Sequence, residues 1–323
     1  MGSLALVTRP MRDGEPSAPG AGGPHIPDVH QSAASTAGPD ATARMLPPSR
    51  YLAWLYSPEA QQPVLAKLCE IESEVAGSLR PGIDHHVAHA RLQWWQEECE
   101  RCAQGRPVHP LTRELVKAYG APSAGVPSPL AGLRGFVDTA VWDLAGATFE
   151  TRKELTAYCE RWAAAMFETA AGQVVSIAPG ELGAVARLRA LGAAVREIEL
   201  LADLAREAHT GRVRVPLDEL DRVGVAVSSL AKPPWPAPLA ALLRERHEAL
   251  RATIREGVSA LGREEQANYR GLLVWAALAW RQSARAQRAL PGIISPRRYH
   301  ALADGWQAWR AARRAAAGKL RLS

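Results

Sequence analysis

The residues best suited to chemistry in this chain are two acidic pairs. Glu70 and Glu74 stand four apart, as do Asp203 and Glu207, and on a helix each pair shares one face. Carboxylate pairs on two facing helices are what holds Mg2+ ions bridging a diphosphate. The ion takes hard oxygen ligands in a near-octahedral shell, a few from carboxylates and the rest from phosphate and water. Taken singly, each pair also reads as a solvated helix face, and Arg206 beside Glu207 fits that reading. Two other groupings carry less. Cys99 and Cys102 form a C-x-x-C late in a helical stretch, without the second pair that a zinc site needs, and read as semi-buried structural thiols. His85 and His89 share a helical face beside His86, but without the glutamate of an H-E-x-x-H they read as exposed histidines at a helix start.

The elements that must position these groups are helical throughout. Val64, Leu65, Leu68, Ile71 and Val75 recur at three- and four-residue steps within 58–79 and make one apolar stripe. Further helices are expected over 84–104, opened by Asp84 as an acidic cap, then over 110–119, 129–147, 151–171, 180–208, 238–261, 264–290 and 296–317. Breaks rich in Gly, Pro and Ser separate them. The stretch 180–208 is apolar on more than one side and is expected to be central in a bundle. Strand character is confined to 172–179 and 211–215, neither with a partner. Most of the ten Trp fall within the helical stretches and read as packing.

The chain has 323 residues, 47% of them hydrophobic and 22% charged, enough to bury a large core and too apolar for a disordered protein. Four Cys in this length exclude a disulfide scaffold. The net charge of +6 is spread among acids, with no block of the kind that binds nucleic acid; the short basic tail Arg310 to Arg321 reads as solvated or as a peripheral contact with anionic lipid. The longest apolar run, Gly271 to Trp280, falls well short of the ~20 residues that cross a bilayer. With no secretory signal at its start, the chain is expected to be cytoplasmic. Residues 1–45 contain no Phe, Trp or Tyr and are crowded with Gly, Pro, Ala and Ser; they read as a disordered N-terminal extension, with the folded domain spanning 46–323.

Four blocks, in order, carry a family likeness. RLQWWQEECERCAQGRPVHP (91–110) resembles a helix and turn of the squalene/phytoene synthase family, and LPPSRYLAWLYSPEAQQPVLAKL (46–68) resembles that family's opening helices. FVDTAVWDLAGATFETRKELTAYCERWAAA (136–165) resembles the segment ending in its Tyr-Cys helix, which places Tyr158 and Cys159 on matching positions. LLADLAREAHTGRVRVPLDEL (200–220) resembles its second acidic motif and the tail that follows.

The resemblance implies an all-α, isoprenoid-synthase-type helical bundle. It implies as activity the head-to-head condensation of two allylic prenyl diphosphates, with Mg2+ as cofactor and prenyl diphosphates as substrates. Mapped onto this chain, it gives Glu70, Glu74, Asp203 and Glu207 as metal ligands and Tyr158, Asp203 and Glu207 as catalytic residues. Arg50, Tyr51, Arg91, Trp94 and Arg212 would bind substrate, since guanidinium forks match phosphate oxygens. The likeness has two departures. Arg206 stands where the second motif has its middle acid, and the first motif reads CEIESEVAG over 69–77 without its paired Asp. The Glu-Val-Ala at 74–76, followed by RLQWW from Arg91, is similar to a divergent branch of the family that includes a complex I assembly factor. An alternative therefore stands beside the transferase: a non-catalytic assembly or lipid-binding factor with a protein partner, its carboxylates neutralised by Arg and its interior filled by Trp.

Overall fold

A computed structural model describes residues 46–119, 128–172, 182–293 and 301–323. The expected extension over 1–45 and the strand-like stretch 173–179 lie outside the described residues. Those described are helical, with no strand among them, and 211–215 is an extended connection.

Helix α1 (Pro48–Tyr56) starts on a proline, whose missing N–H is spare in a first turn. Helix α2 (Gln62–Gly77) buries the stripe read from the sequence, Val64, Leu68, Ile71 and Val75. Helix α3 (His85–Ala103) is capped by Asp84, whose carboxylate accepts from the backbone N–H of His86 at 2.8 Å and of Val87 at 3.3 Å. Helices α4 (Pro110–Tyr119) and α5 (Arg134–Leu144) pack against it. Helix α6 (Arg152–Ala163) passes through a π-helical turn at Ala164–Glu168 into the short α7 (Thr169–Gly172).

The apolar stretch expected to be central is central. Helix α8 (Leu182–Ala202) packs against α6, against α11 (Ala237–Ser259) and against α13 (Arg270–Ala289). The sequence pattern suggests one helix over 180–208, whereas the backbone turns at Asp203 and resumes as α9 (Leu204–His209). In the same way α12 (Arg263–Asn268) is set off from α13 at Tyr269. Helix α10 (Leu217–Arg222) starts where the Leu217 and Asp218 N–H groups donate to the Phe149 and Glu150 carbonyls, and α14 (Ala301–Ala316) closes the chain against α13.

Two glycines let helices touch backbone to backbone. A Cβ on Gly135 in α5 would stand 1.9 Å from the Arg161 carbonyl oxygen of α6. One on Gly271 in α13 would meet Ser57 Oγ at 1.9 Å and the Ala53 carbonyl at 2.6 Å. These crossings join α5 to α6 and α1 to α13, α8 packs on both α6 and α13, and the charged side chains converge among them.

Candidate active site

Arg50 of α1 reaches between α2 and α8. Its guanidinium pairs with Glu72, and its Nη2 lies 3.5 Å from Glu199 Oε2. Arg196, one turn before Glu199 on α8, stands 3.5 Å from Glu199 and 4.0 Å from Glu72. Trp162 of α6 donates its indole N–H to Glu72 at 2.7 Å, and Trp275 of α13 donates to Glu199 at 3.2 Å. The same rings lie under the cations: Arg50 is 5.8 Å from the Trp162 centroid and 5.1 Å from that of Trp275, and Arg196 is 5.2 Å from Trp162. The four charged side chains are between 14% and 22% exposed, so the group is largely buried and keeps a small contact with water.

A second group adjoins the first through Tyr158, whose hydroxyl donates to Asp143 at 3.1 Å. Arg214 is buried beneath the Tyr158 ring, 5.5 Å from its centroid, and bonds Asp143 at 2.7 Å and Glu207 at 3.1 Å. Arg212 stands 3.6 Å from Glu207, and Arg206 bonds Asp203 at 2.6 Å.

Burial alone would raise the Glu72 carboxyl, but Arg50 and Arg196 outweigh it and hold it below the ordinary carboxylate range. Burial likewise works against the charge of Arg50, Arg196 and Arg214, and their acidic partners raise all three above the usual arginine value. Burial lifts the Tyr158 hydroxyl and the Asp203 carboxyl. It also pushes the Cys69, Cys99 and Cys102 thiols up to about 12, which leaves them protonated and unreactive.

The expected wall of four carboxylates is not assembled. Glu70 points toward α4, where the Lys67 ammonium bridges it at 3.0 Å to Glu114 at 2.8 Å, and Glu74 is exposed. The reason is helical geometry: α2 turns the stripe of Leu68, Ile71 and Val75 inward, which carries Glu72 toward the interior and Glu70 and Glu74 to its other side. Asp203 and Glu207 do lie together, each paired with arginine. No three carboxylate, His or Cys side chains among the described residues are placed to share a metal ion. This donor set, closed by guanidinium groups, does not fit a Mg2+ cluster.

Of the residues assigned to substrate, Arg50 is in the cluster and Arg212 is beside Glu207. Tyr51 stacks on Trp54, with centroids 5.8 Å apart. Arg91 and Trp94 are on α3, which packs on α4 and α5 instead of bordering the cluster. Trp94 is 39% exposed and packs edge-on against Trp95 at 5.4 Å and His109 at 5.8 Å.

Sequence reasoning did not single out Glu72, Asp143, Arg196, Glu199 or Arg214. The signal was present for two of them: Arg196 and Glu199 are three apart on a helix that is otherwise apolar on more than one side. A charge buried on such a helix must find a partner.

Comparison with known proteins agrees with this architecture. The squalene/phytoene synthase family profile matches residues 47–303. A phytoene synthase from Thermus thermophilus is 30% identical over 171 residues, 53% of this chain and 56% of the relative, so the chain spans little more than half the length of that protein in the match. A crystal structure of a dehydrosqualene synthase in complex with ligand superposes with a TM-score of 0.68 at 16% identity, covering 86% of this chain and 93% of the other. Squalene synthase HpnC from Alicyclobacillus acidocaldarius superposes with a TM-score of 0.61 at 16% identity, over 79% and 94% of the two chains. The likeness to both solved structures is one of fold. The chain belongs to the squalene/phytoene synthase family.

Proposed function

We propose that this protein takes up prenyl diphosphates at the ion-paired centre of its bundle, and that its reaction is the head-to-head condensation of two allylic prenyl diphosphates. The observation that carries this reading is the convergence of Arg50, Arg196, Glu72 and Glu199 among Trp162, Trp275 and Tyr158. Burying an ion pair costs several kcal/mol per ion, and apolar side chains of similar volume hold helices together as well or better. Charges kept in such a place make this cluster the candidate for a ligand site.

Guanidinium forks match diphosphate oxygens. The Nε atoms of Arg196 and Arg214 are buried donors with no hydrogen-bond partner, which suits them to an incoming acceptor. The rings of Trp162 and Trp275, now under Arg50, suit the allylic cation left when a C–O bond breaks and its electron pair departs with the diphosphate. The double bond of the second substrate then attacks the allylic carbon, the departed diphosphate takes up the proton that the adduct loses, and the adduct keeps the second diphosphate. Arg50, Arg196 and Arg214 bind and orient the leaving group.

A second reading, a binding or assembly factor without turnover, is favoured by one observation. The carboxylates of the second acidic motif are each paired with arginine, and guanidinium groups already cover the aromatic faces.

Incubation with radiolabelled farnesyl and geranylgeranyl diphosphate, with and without Mg2+, separates the two. A product of doubled chain length is the result expected of the transferase. Tight binding of either diphosphate without product overturns turnover and leaves the second reading.

A further inference from the structure

Away from this centre, α11, α13 and α14 share a surface crowded with arginine. Arg281, Arg285 and Arg288 recur at four- and three-residue steps on α13 and face one side of it; Arg251 and Arg255 are four apart on α11. Arg310 of α14 is close enough to Arg281 to disfavour its charge, after burial and together with Arg285 and Arg288. Arg255 and Arg288 act on Arg251 in the same way. The carboxylates that reach these cations are Asp304, bonded to Arg285 at 2.6 Å, and Glu248, bonded to Gln287 at 2.7 Å. Arg255 and Arg288 are exposed, whereas Arg281 Nε and Arg251 Nη1 are buried donors with no hydrogen-bond partner.

Beside the cations stand exposed apolar side chains. On α14, Leu302 is 91% exposed and Trp306 is 56% exposed, and both precede Arg310 on one helical face at four-residue steps. Ile293, after α13, is 49% exposed. Trp306 stacks on Trp309 at 4.7 Å, and Arg313 lies 5.0 Å from the Trp309 centroid.

We infer that this face docks on an anionic lipid bilayer, with the arginines of α13 and α14 against the headgroups and Leu302 and Trp306 in the interfacial layer. The charge excess selects an anionic partner. The exposed Leu and Trp select a bilayer over a nucleic acid, because a tryptophan at the headgroup level with an aliphatic side chain beside it is the pattern of interfacial helices. No described helix is long and apolar enough to cross a membrane, so the contact is peripheral.

The test is co-sedimentation of the full chain with vesicles of phosphatidylcholine alone and of phosphatidylcholine mixed with phosphatidylglycerol. Binding only to the anionic vesicles is expected, with loss at high salt. Each arginine removed weakens it about fivefold, so Arg288→Gln/Arg310→Gln binds about twenty-five-fold more weakly. Leu302→Ser/Trp306→Ser weakens it further, and Trp306→Phe removes the tryptophan quenching caused by brominated lipid. These side chains are at the surface, and an unchanged melting curve checks that each variant is folded. Equal binding to neutral vesicles, binding unaffected by the substitutions, or tighter binding to duplex DNA than to anionic vesicles overturns the inference.

Discussion

At the scale of single residues, Glu72 is the most informative position. It accepts from Trp162 and pairs with Arg50 and Arg196, so Glu72→Ala leaves two guanidinium groups in the interior without that counter-charge. Removing one partner of a buried pair costs about 3 kcal/mol, which urea unfolding reads directly. The same substitution frees those groups for diphosphate and is expected to tighten binding of a prenyl diphosphate analogue roughly tenfold. A purely structural ion pair would lose stability and gain no affinity. His247 makes a separate point. It is buried beside Ser283, its Nδ1 3.0 Å from Oγ, and burial followed by Arg251 lowers its pKa to about 4. A histidine held neutral below its unfolded pKa of ~6.5 contributes stability that is complete above pH ~6.5 and is lost as the pH falls toward 4. Stability is therefore expected to decline by on the order of 3 kcal/mol across that interval, and His247→Gln to flatten the decline; an unchanged acid limb in the variant contradicts the assignment. Below this window Glu98 takes over. Burial would raise its carboxyl, but bonds from Thr112, the His109 and Val108 N–H groups and Arg101 hold it down. Its contribution is present above the unfolded carboxylate value of ~4.3 and is lost as the pH falls through its lower folded value.

At the scale of elements, the close crossings set the site. Gly135 and Gly271 allow α5 to touch α6 and α13 to touch α1, and α1, α6 and α13 carry Arg50, Tyr158, Trp162 and Trp275. Gly271→Ala forces α1 and α13 apart and is expected to cost about 2 kcal/mol, seen as a lower urea midpoint, with weaker analogue binding because Arg50 moves with α1. The helices themselves were legible in the sequence, because apolar stripes such as 64–75 and cap residues such as Asp84 act locally. The interruptions at Asp203 and Tyr269 were not, since the apolar pattern runs through both. The site was half legible for the same reason. Arg50, Tyr158 and Glu207 sit on motifs with recognisable neighbours. Glu72, Arg196 and Arg214 become a site only when separate helices bring them together, and spacing within one helix led instead to Glu70 and Glu74, which α2 turns away.

At the scale of the whole molecule, the family match begins at residue 47, and the region before it has no aromatic anchor. A chain starting at Leu46 is expected to keep the helical circular dichroism and melting temperature of the full chain; a lower melting temperature would assign residues 1–45 a packing role. Binding of a prenyl diphosphate by the buried guanidinium groups is the central proposal. Calorimetric titration with a non-hydrolysable farnesyl diphosphate analogue, in Mg2+ and with the metal chelated, on the full chain and on Arg50→Met/Arg196→Met, tests it most directly. Saturable binding by the parent chain under at least one condition, lost in a double variant that remains folded, is the result expected. No binding by the parent chain under either condition, or equal binding by the variant, would contradict it.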